Sequence, residues 1–110
     1  EGESGSPPLG WMRWDRQTGE SVVWANSVRG VFCEEIVVIP KHGAHGSVPA
    51  SDEADVWLAG MMYDSRRGVS SLAILDGADL QAGPVCRLWL RSAVPHGLHG
   101  CFTPEVYGLA

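Results

Sequence analysis

The four histidines of the chain fall into two pairs with the same spacing, His42-x-x-His45 and His96-x-x-His99. Imidazoles act as metal ligands and as proton carriers near neutral pH. Residues three apart share one face of a helix but point to opposite faces of a strand, and neither pair lies in a helical pattern. A metal shared within one pair is therefore disfavoured, while zinc held by both pairs together is an alternative.

The surroundings of the two pairs differ. The first pair lies in Lys41–Asp55, which has no hydrophobic period and predicts a solvent-exposed loop. The second lies in Val94–Phe102 (VPHGLHGCF), directly after an apolar segment. Gly97 and Gly100 allow the backbone there to turn sharply or to approach a ligand closely. The second pair is the better candidate site, although a purely structural histidine is an open alternative on these residues alone.

Two adjacent acids, Glu34 and Glu35, interrupt the β-branched segment Val31–Pro40 (VFCEEIVVIP). Strand alternation turns one of the two towards the packed side. A buried carboxylate needs a partner, so an imidazole, an arginine or a metal is expected beside it. The alternative is a bulge or a sheet edge that turns both carboxylates to water.

Six short apolar segments recur along the chain, separated by turn-forming stretches such as Asp64–Gly68 (DSRRG). Each segment has the length of a strand, and no longer segment shows helical spacing. The predicted strands are Trp11–Trp14, Ser21–Ala25, Val31–Pro40, Val56–Tyr63, Val69–Asp76 and Val85–Arg91. The sequence therefore predicts an all-β antiparallel meander, from which sandwiches, barrels and propeller blades are built.

The composition limits the classes of protein. The chain has 110 residues, enough for one small domain. Residues 1–9 (EGESGSPPL) predict a disordered linker or a cut end, which leaves 10–110 as the folded part. A net charge of −5 without a basic run argues against a nucleic-acid partner. The sequence contains no apolar run of about 18 residues, the length that a membrane-spanning helix needs. Three cysteines without a C-x-x-C pair argue against a disulfide framework and a zinc knuckle.

Three segments carry a resemblance to a known family. Val94–Gly100 (VPHGLHG) resembles V-P-[YH]-G-[FL]-H-G, the last signature of the carotenoid cleavage oxygenases. Glu34–Pro40 (EEIVVIP) resembles the family segment G-E-P-x-F-V-P, with Glu34 where the family usually has Gly. Asp64–Ala78 (DSRRGVSSLAILDGA) resembles the hairpin pattern D-x-x-x-G-x-S-x-L-x-I-L-D-A. The resemblance runs from Trp11 to Pro104.

This resemblance implies a fold and a metal site. The fold would be a seven-bladed β-propeller, of which the chain forms the last one to two blades. A ferrous iron on the propeller axis would be held by four histidines from different blades, with three glutamates around them. By position His99 corresponds to the fourth iron ligand and Glu35 to the last of the glutamates, and we expect Glu35 to orient the His99 imidazole. His96 takes a place where relatives often have Tyr and is not a ligand on this basis.

The implied function is that of a non-haem Fe(II) dioxygenase that cleaves a double bond of a carotenoid or apocarotenoid with O2, giving aldehyde or ketone products. One histidine cannot hold a catalytic iron, so the fragment alone is expected to be inactive and to need the rest of the propeller. The alternative is a non-catalytic β-propeller binding module or a degenerate fragment. The resemblance also implies peripheral membrane contact, and a location in plastids for a plant or algal protein or in the cytoplasm for a bacterial one.

Overall fold

Short apolar segments form six strands in the computed structural model, which describes residues 8–41, 53–103, 105 and 108. The strands are β1 (Gly10–Trp14), β2 (Ser21–Ala25), β3 (Val31–Pro40), β4 (Val56–Asp64), β5 (Val69–Asp76) and β6 (Pro84–Trp89). A 3-10 turn, Leu80–Ala82, precedes β6, and the described ranges contain no helix long and apolar enough to cross a membrane. The prediction of an all-β chain is confirmed.

The strands form two antiparallel sheets. The hairpin of β1 and β2 is a sheet of its own, and the second sheet has the order β3-β4-β5-β6. Because neighbours in this sheet are also neighbours in the chain, it is the predicted meander. The last strand ends two residues earlier than predicted, because the chain leaves the ladder there: Ser70 accepts from Leu90 at 2.9 Å but donates to Ser92 at 3.2 Å.

The β1-β2 hairpin packs on one face of the four-stranded sheet and forms the core. Trp11 stacks on Trp24 with ring centroids 5.5 Å apart. The buried residues of this core are Trp11, Val31, Cys33, Met62, Ala73, Leu75 and Leu80. Burial raises the pKa of the Cys33 thiol to about 11, so this cysteine is an unreactive part of the core. The opposite face of the sheet carries the candidate site.

Gly60 allows the hairpin to approach β4. A Cβ at this position would lie 2.5 Å from Cζ2 of the buried, rigid Trp11 ring. We expect Gly60→Ala to lower the free energy of unfolding by about 1–3 kcal/mol, the usual cost of overpacking a core. Denaturant unfolding measures this change. Gly108→Ala is the matched control, because its Cβ would meet no atom within 4 Å. Equal stability of the two variants would contradict the prediction.

Candidate metal-ligand site

A β-bulge in β3 carries the two adjacent glutamates. Cys33 pairs with Met62 and Ile36 pairs with Gly60, so Glu34 and Glu35 together oppose one residue of β4. A bulge of this kind leaves an extra residue outside the ladder and redirects side chains. The bulge considered from the sequence is therefore present. The carboxylates do not point only to water, however, because both accept hydrogen bonds from the segment His96–Gly100.

The chain after β6 returns across the sheet to reach the bulge. Residues 90–103 have no regular secondary structure and are exposed. The backbone N–H of Val94 donates to the Ser70 hydroxyl at 2.9 Å, which fixes the start of the return on β5. Gly100 then lies over β3, where a Cβ would be 3.6 Å from a Val37 methyl carbon. This path brings a segment more than 60 residues away in sequence onto the two glutamates.

Glu35 binds His99 and the residue that follows it. The distance from His99 Nδ1 to Glu35 Oε1 is 2.8 Å, and the N–H of Gly100 donates to Oε2 at 2.7 Å. The hydrogen bond from His99, followed by that from Gly100, holds the pKa of the Glu35 carboxyl below its usual range. A carboxylate only accepts hydrogen bonds, so Nδ1 carries the proton and the lone pair of the neutral imidazole lies on Nε2. The contact with Glu35 thus orients the His99 ring and leaves the lone pair on Nε2.

Glu34 binds the preceding His-Gly dipeptide in the same way. His96 Nδ1 lies 2.6 Å from Glu34 Oε1, and Gly97 N–H donates to Oε2 at 3.4 Å. The His96 ring also meets the edge of Tyr63, with centroids 5.8 Å apart. Sequence reasoning missed this second pair. The sequence contains a signal for this pair, because it has two adjacent glutamates and two His-Gly dipeptides, one for each carboxylate.

A cavity of about 330 Å³ borders His99. Its sheet wall is apolar and is formed by Val37, Ile39, Ala59, Met61 and Leu72. Residues 97–102 also line the cavity, together with Glu34 and Glu35. An apolar cavity with a few polar groups at one end is the usual form of a site for a small apolar molecule.

The described residues do not form a complete metal site. Within residues 8–41, 53–103, 105 and 108, no three His, Cys, Asp or Glu side chains are arranged to hold a metal ion. His42 and His45 lie outside the described residues, so zinc on the two pairs stays an untested alternative. An imidazole whose Nδ1–H is held by a carboxylate is nevertheless the usual form of a metal-bound histidine. The donor set fits one ligand of a larger group.

The fold is all-β, and a carboxylate holds His99 in the way that is usual for metal-bound histidines. A sequence model of the retinal pigment epithelial membrane protein family matches residues 2–104, and the chain belongs to this family. The family assignment confirms the resemblance to the carotenoid cleavage oxygenases.

Three relatives show what the chain resembles. Isoeugenol monooxygenase from Pseudomonas nitroreducens is 29% identical over 92 residues, covering 84% of this chain and 18% of the relative. Carotenoid 9,10(9',10')-cleavage dioxygenase 1 from Phaseolus vulgaris is 33% identical over 78 residues, covering 69% and 13%. The structure of cobalt-substituted apocarotenoid oxygenase from Synechocystis superposes with a TM-score of 0.71 at 26% identity, covering 86% and 18%. The chain therefore spans less than a fifth of these proteins, and they are oxygenases.

Proposed function

We propose that this chain is the C-terminal portion of a seven-bladed β-propeller in a non-haem Fe(II) dioxygenase. The enzyme cleaves a double bond of a carotenoid or apocarotenoid, and oxygen from O2 enters the aldehyde or ketone products. The observation that carries the proposal is the Glu35–His99 contact of 2.8 Å, which leaves Nε2 as a ligand atom. The family assignment and the cobalt-substituted relative support it.

The residues present fit a ferrous ion. Neutral imidazoles are suitable ligands for iron, and a carboxylate on the second ring nitrogen fixes the tautomer and the ring orientation. His99 would therefore contribute Nε2 to the iron, and Glu35 would hold the ring. The remaining ligands come from outside this chain. When bound, the iron supplies the site at which dioxygen is activated beside the substrate double bond.

The apolar cavity beside His99 favours a hydrophobic substrate. Its sheet wall consists of apolar side chains from three neighbouring strands. Such a wall excludes water and binds a hydrocarbon chain without leaving polar groups unpaired. We propose that this wall contacts the substrate close to the metal.

The arrangement of the sheets explains why the fragment would be inactive alone. In the proposed propeller, the four-stranded meander would be one blade, and the β1-β2 hairpin would be part of another. The edges of these sheets need neighbouring strands, which the remaining blades would provide. The same blades would supply the other iron ligands.

The test uses the full-length protein that contains this chain. Purified protein is loaded with Fe(II) and mixed in air with a carotenoid, an apocarotenoid or isoeugenol. We expect the polyene absorbance to fall only when iron and O2 are both present, and label from isotopic O2 to enter the products. Conversion of isoeugenol alone would contradict the proposed substrate class. If the protein neither binds iron nor converts any of these substrates, the result would favour the non-catalytic binding module.

A further inference from the structure

A second carboxylate–imidazole pair, Glu34 with His96, lies beside the proposed iron ligand and has no part in the proposed ligation. Glu34 accepts from His96 Nδ1 at 2.6 Å and from the Gly97 N–H at 3.4 Å. The neighbouring carboxylate of Glu35 binds the next His-Gly dipeptide with the same two-point pattern. The bulge thus holds the return segment at two successive points, three residues apart.

The first of these points is fixed to the core of the fold. The backbone carbonyl of Glu34 accepts a hydrogen bond of 2.7 Å from the indole N–H of buried Trp11. The Glu34 side chain is 15% exposed, so its carboxylate depends on its partner. His96 is further held by the edge of the Tyr63 ring on β4. The His96 side chain is 64% exposed, so its contact with Glu34 is not a consequence of burial.

The second point depends on the first because the chain between them has no regular secondary structure to hold it in place. Residues 94–100 have no regular secondary structure, and two of them are glycines with wide backbone freedom. After the Val94 contact with Ser70, the next described hydrogen bonds from this segment to the sheet are those to Glu34. Without these bonds, the last described hydrogen bond between the segment and the sheet before His99 would be that of Val94, five residues earlier.

We propose that Glu34 and His96 are a positioning pair that sets the backbone of the His96–Gly100 segment, so that His99 meets Glu35 with Nε2 directed at the metal. This inference rests on the proposed function, because it concerns the presentation of the proposed ligand. His96 itself does not bind the metal. Its effect is transmitted through Gly97 and Leu98, the two residues that join it to His99.

The test compares two substitutions of His96 in the metal-free, full-length protein. His96→Ala removes the donor to Glu34, whereas the side-chain N–H of His96→Asn takes the place of Nδ1–H. The proteins are titrated with Co(II) alone, and its visible absorption bands report affinity and ligand geometry. We expect His96→Ala to weaken Co(II) binding about 10-fold and to change the bands, with His96→Asn within about threefold of the parent. Glu20→Gln, an exposed change in the β1-β2 turn, is the control for a surface substitution outside the bulge and the return segment.

Each outcome decides the proposal. Unchanged Co(II) affinity and spectrum in His96→Ala would overturn it, as would equal weakening by alanine and asparagine. A loss of thermal stability without a change in affinity would show a structural role alone. If the parent protein binds no Co(II), the proposed iron function is wrong, and hydrogen exchange of the peptide containing Gly100 decides the positioning role. Faster exchange in His96→Ala but not in His96→Asn supports that role, and equal rates overturn it.

Discussion

Replacing His99 by alanine is expected to remove carotenoid cleavage by the full-length protein and to weaken Fe(II) binding by more than about 100-fold. The expected loss exceeds the 10–100-fold typical of changes to outer partners, because a direct ligand is removed. Isothermal titration of the metal-free protein with Fe(II) under anaerobic conditions gives the affinity. The loss of polyene absorbance, measured on the same preparations in air, gives the rate.

The fold should tolerate the His99→Ala substitution. The His99 side chain is 77% exposed, and its described hydrogen bond is the one to Glu35, so little packing is lost. We expect circular dichroism and the thermal transition to match those of the parent protein. Glu20→Gln, an exposed change in the turn between β1 and β2, should retain cleavage. Normal cleavage by His99→Ala would contradict the ligand assignment.

Most of the fold was predictable because its signals are local. The turn between β4 and β5 begins with Asp64, whose carboxylate accepts the Arg66 N–H at 3.0 Å, and ends with Gly68 at a φ of +64°. Asp and Gly favour such turns for these reasons, so the sequence marks the boundary of both strands. The apolar segments predict the remaining strands, and the short connections between them predict the meander.

The pairing of the two sheets was not predictable in this way. Contact between the β1-β2 hairpin and the four-stranded sheet depends on Trp11 packing against Gly60, almost 50 residues away. In the sequence, Gly60 is one residue of a nearly continuous apolar run, Val56–Tyr63, and nothing there marks it as a contact point. In the structure, the absence of a side chain at Gly60 leaves the space that the Trp11 indole fills. This role depends on tertiary packing alone.

The candidate site was predicted in part. The family motif led to the expectation that Glu35 lies beside His99, and the structure places their polar atoms 2.8 Å apart. The role of either residue at a metal stays a prediction. The motif could not indicate a partner for Glu34, since it usually has Gly there. Only the bulge, which removes strand alternation at this point, brings Glu34 to the same side as its neighbour.

The bulge also explains how two like charges are accommodated side by side. Each carboxylate accepts one imidazole N–H and one backbone N–H, so each negative charge is met by donors of its own. The hydrogen-bonding requirement of this acidic pair selects a segment in which two His-Gly dipeptides are three residues apart. The sequence Val94–Gly100 provides that spacing.

Replacing Glu35 is expected to have the second-largest effect on metal binding. Glu35→Ala removes the acceptor that holds the His99 tautomer, so the imidazole can rotate and the proton can move to Nε2, where it blocks ligation. We expect Fe(II) affinity to fall about 10–100-fold, the usual cost of losing an outer partner of a metal-bound histidine. The same anaerobic titration measures this change.

Glu35→Gln distinguishes the charge of Glu35 from its shape. The amide oxygen can still accept the proton of His99 Nδ1, but the amide nitrogen is a donor and meets the N–H of Gly100 instead of accepting from it. We therefore expect an affinity between those of the parent and Glu35→Ala. Wild-type affinity in Glu35→Ala would refute the orienting role of this carboxylate. Equal affinities of the alanine and glutamine variants would show that the orientation of His99 requires the full carboxylate, with both of its acceptor oxygens.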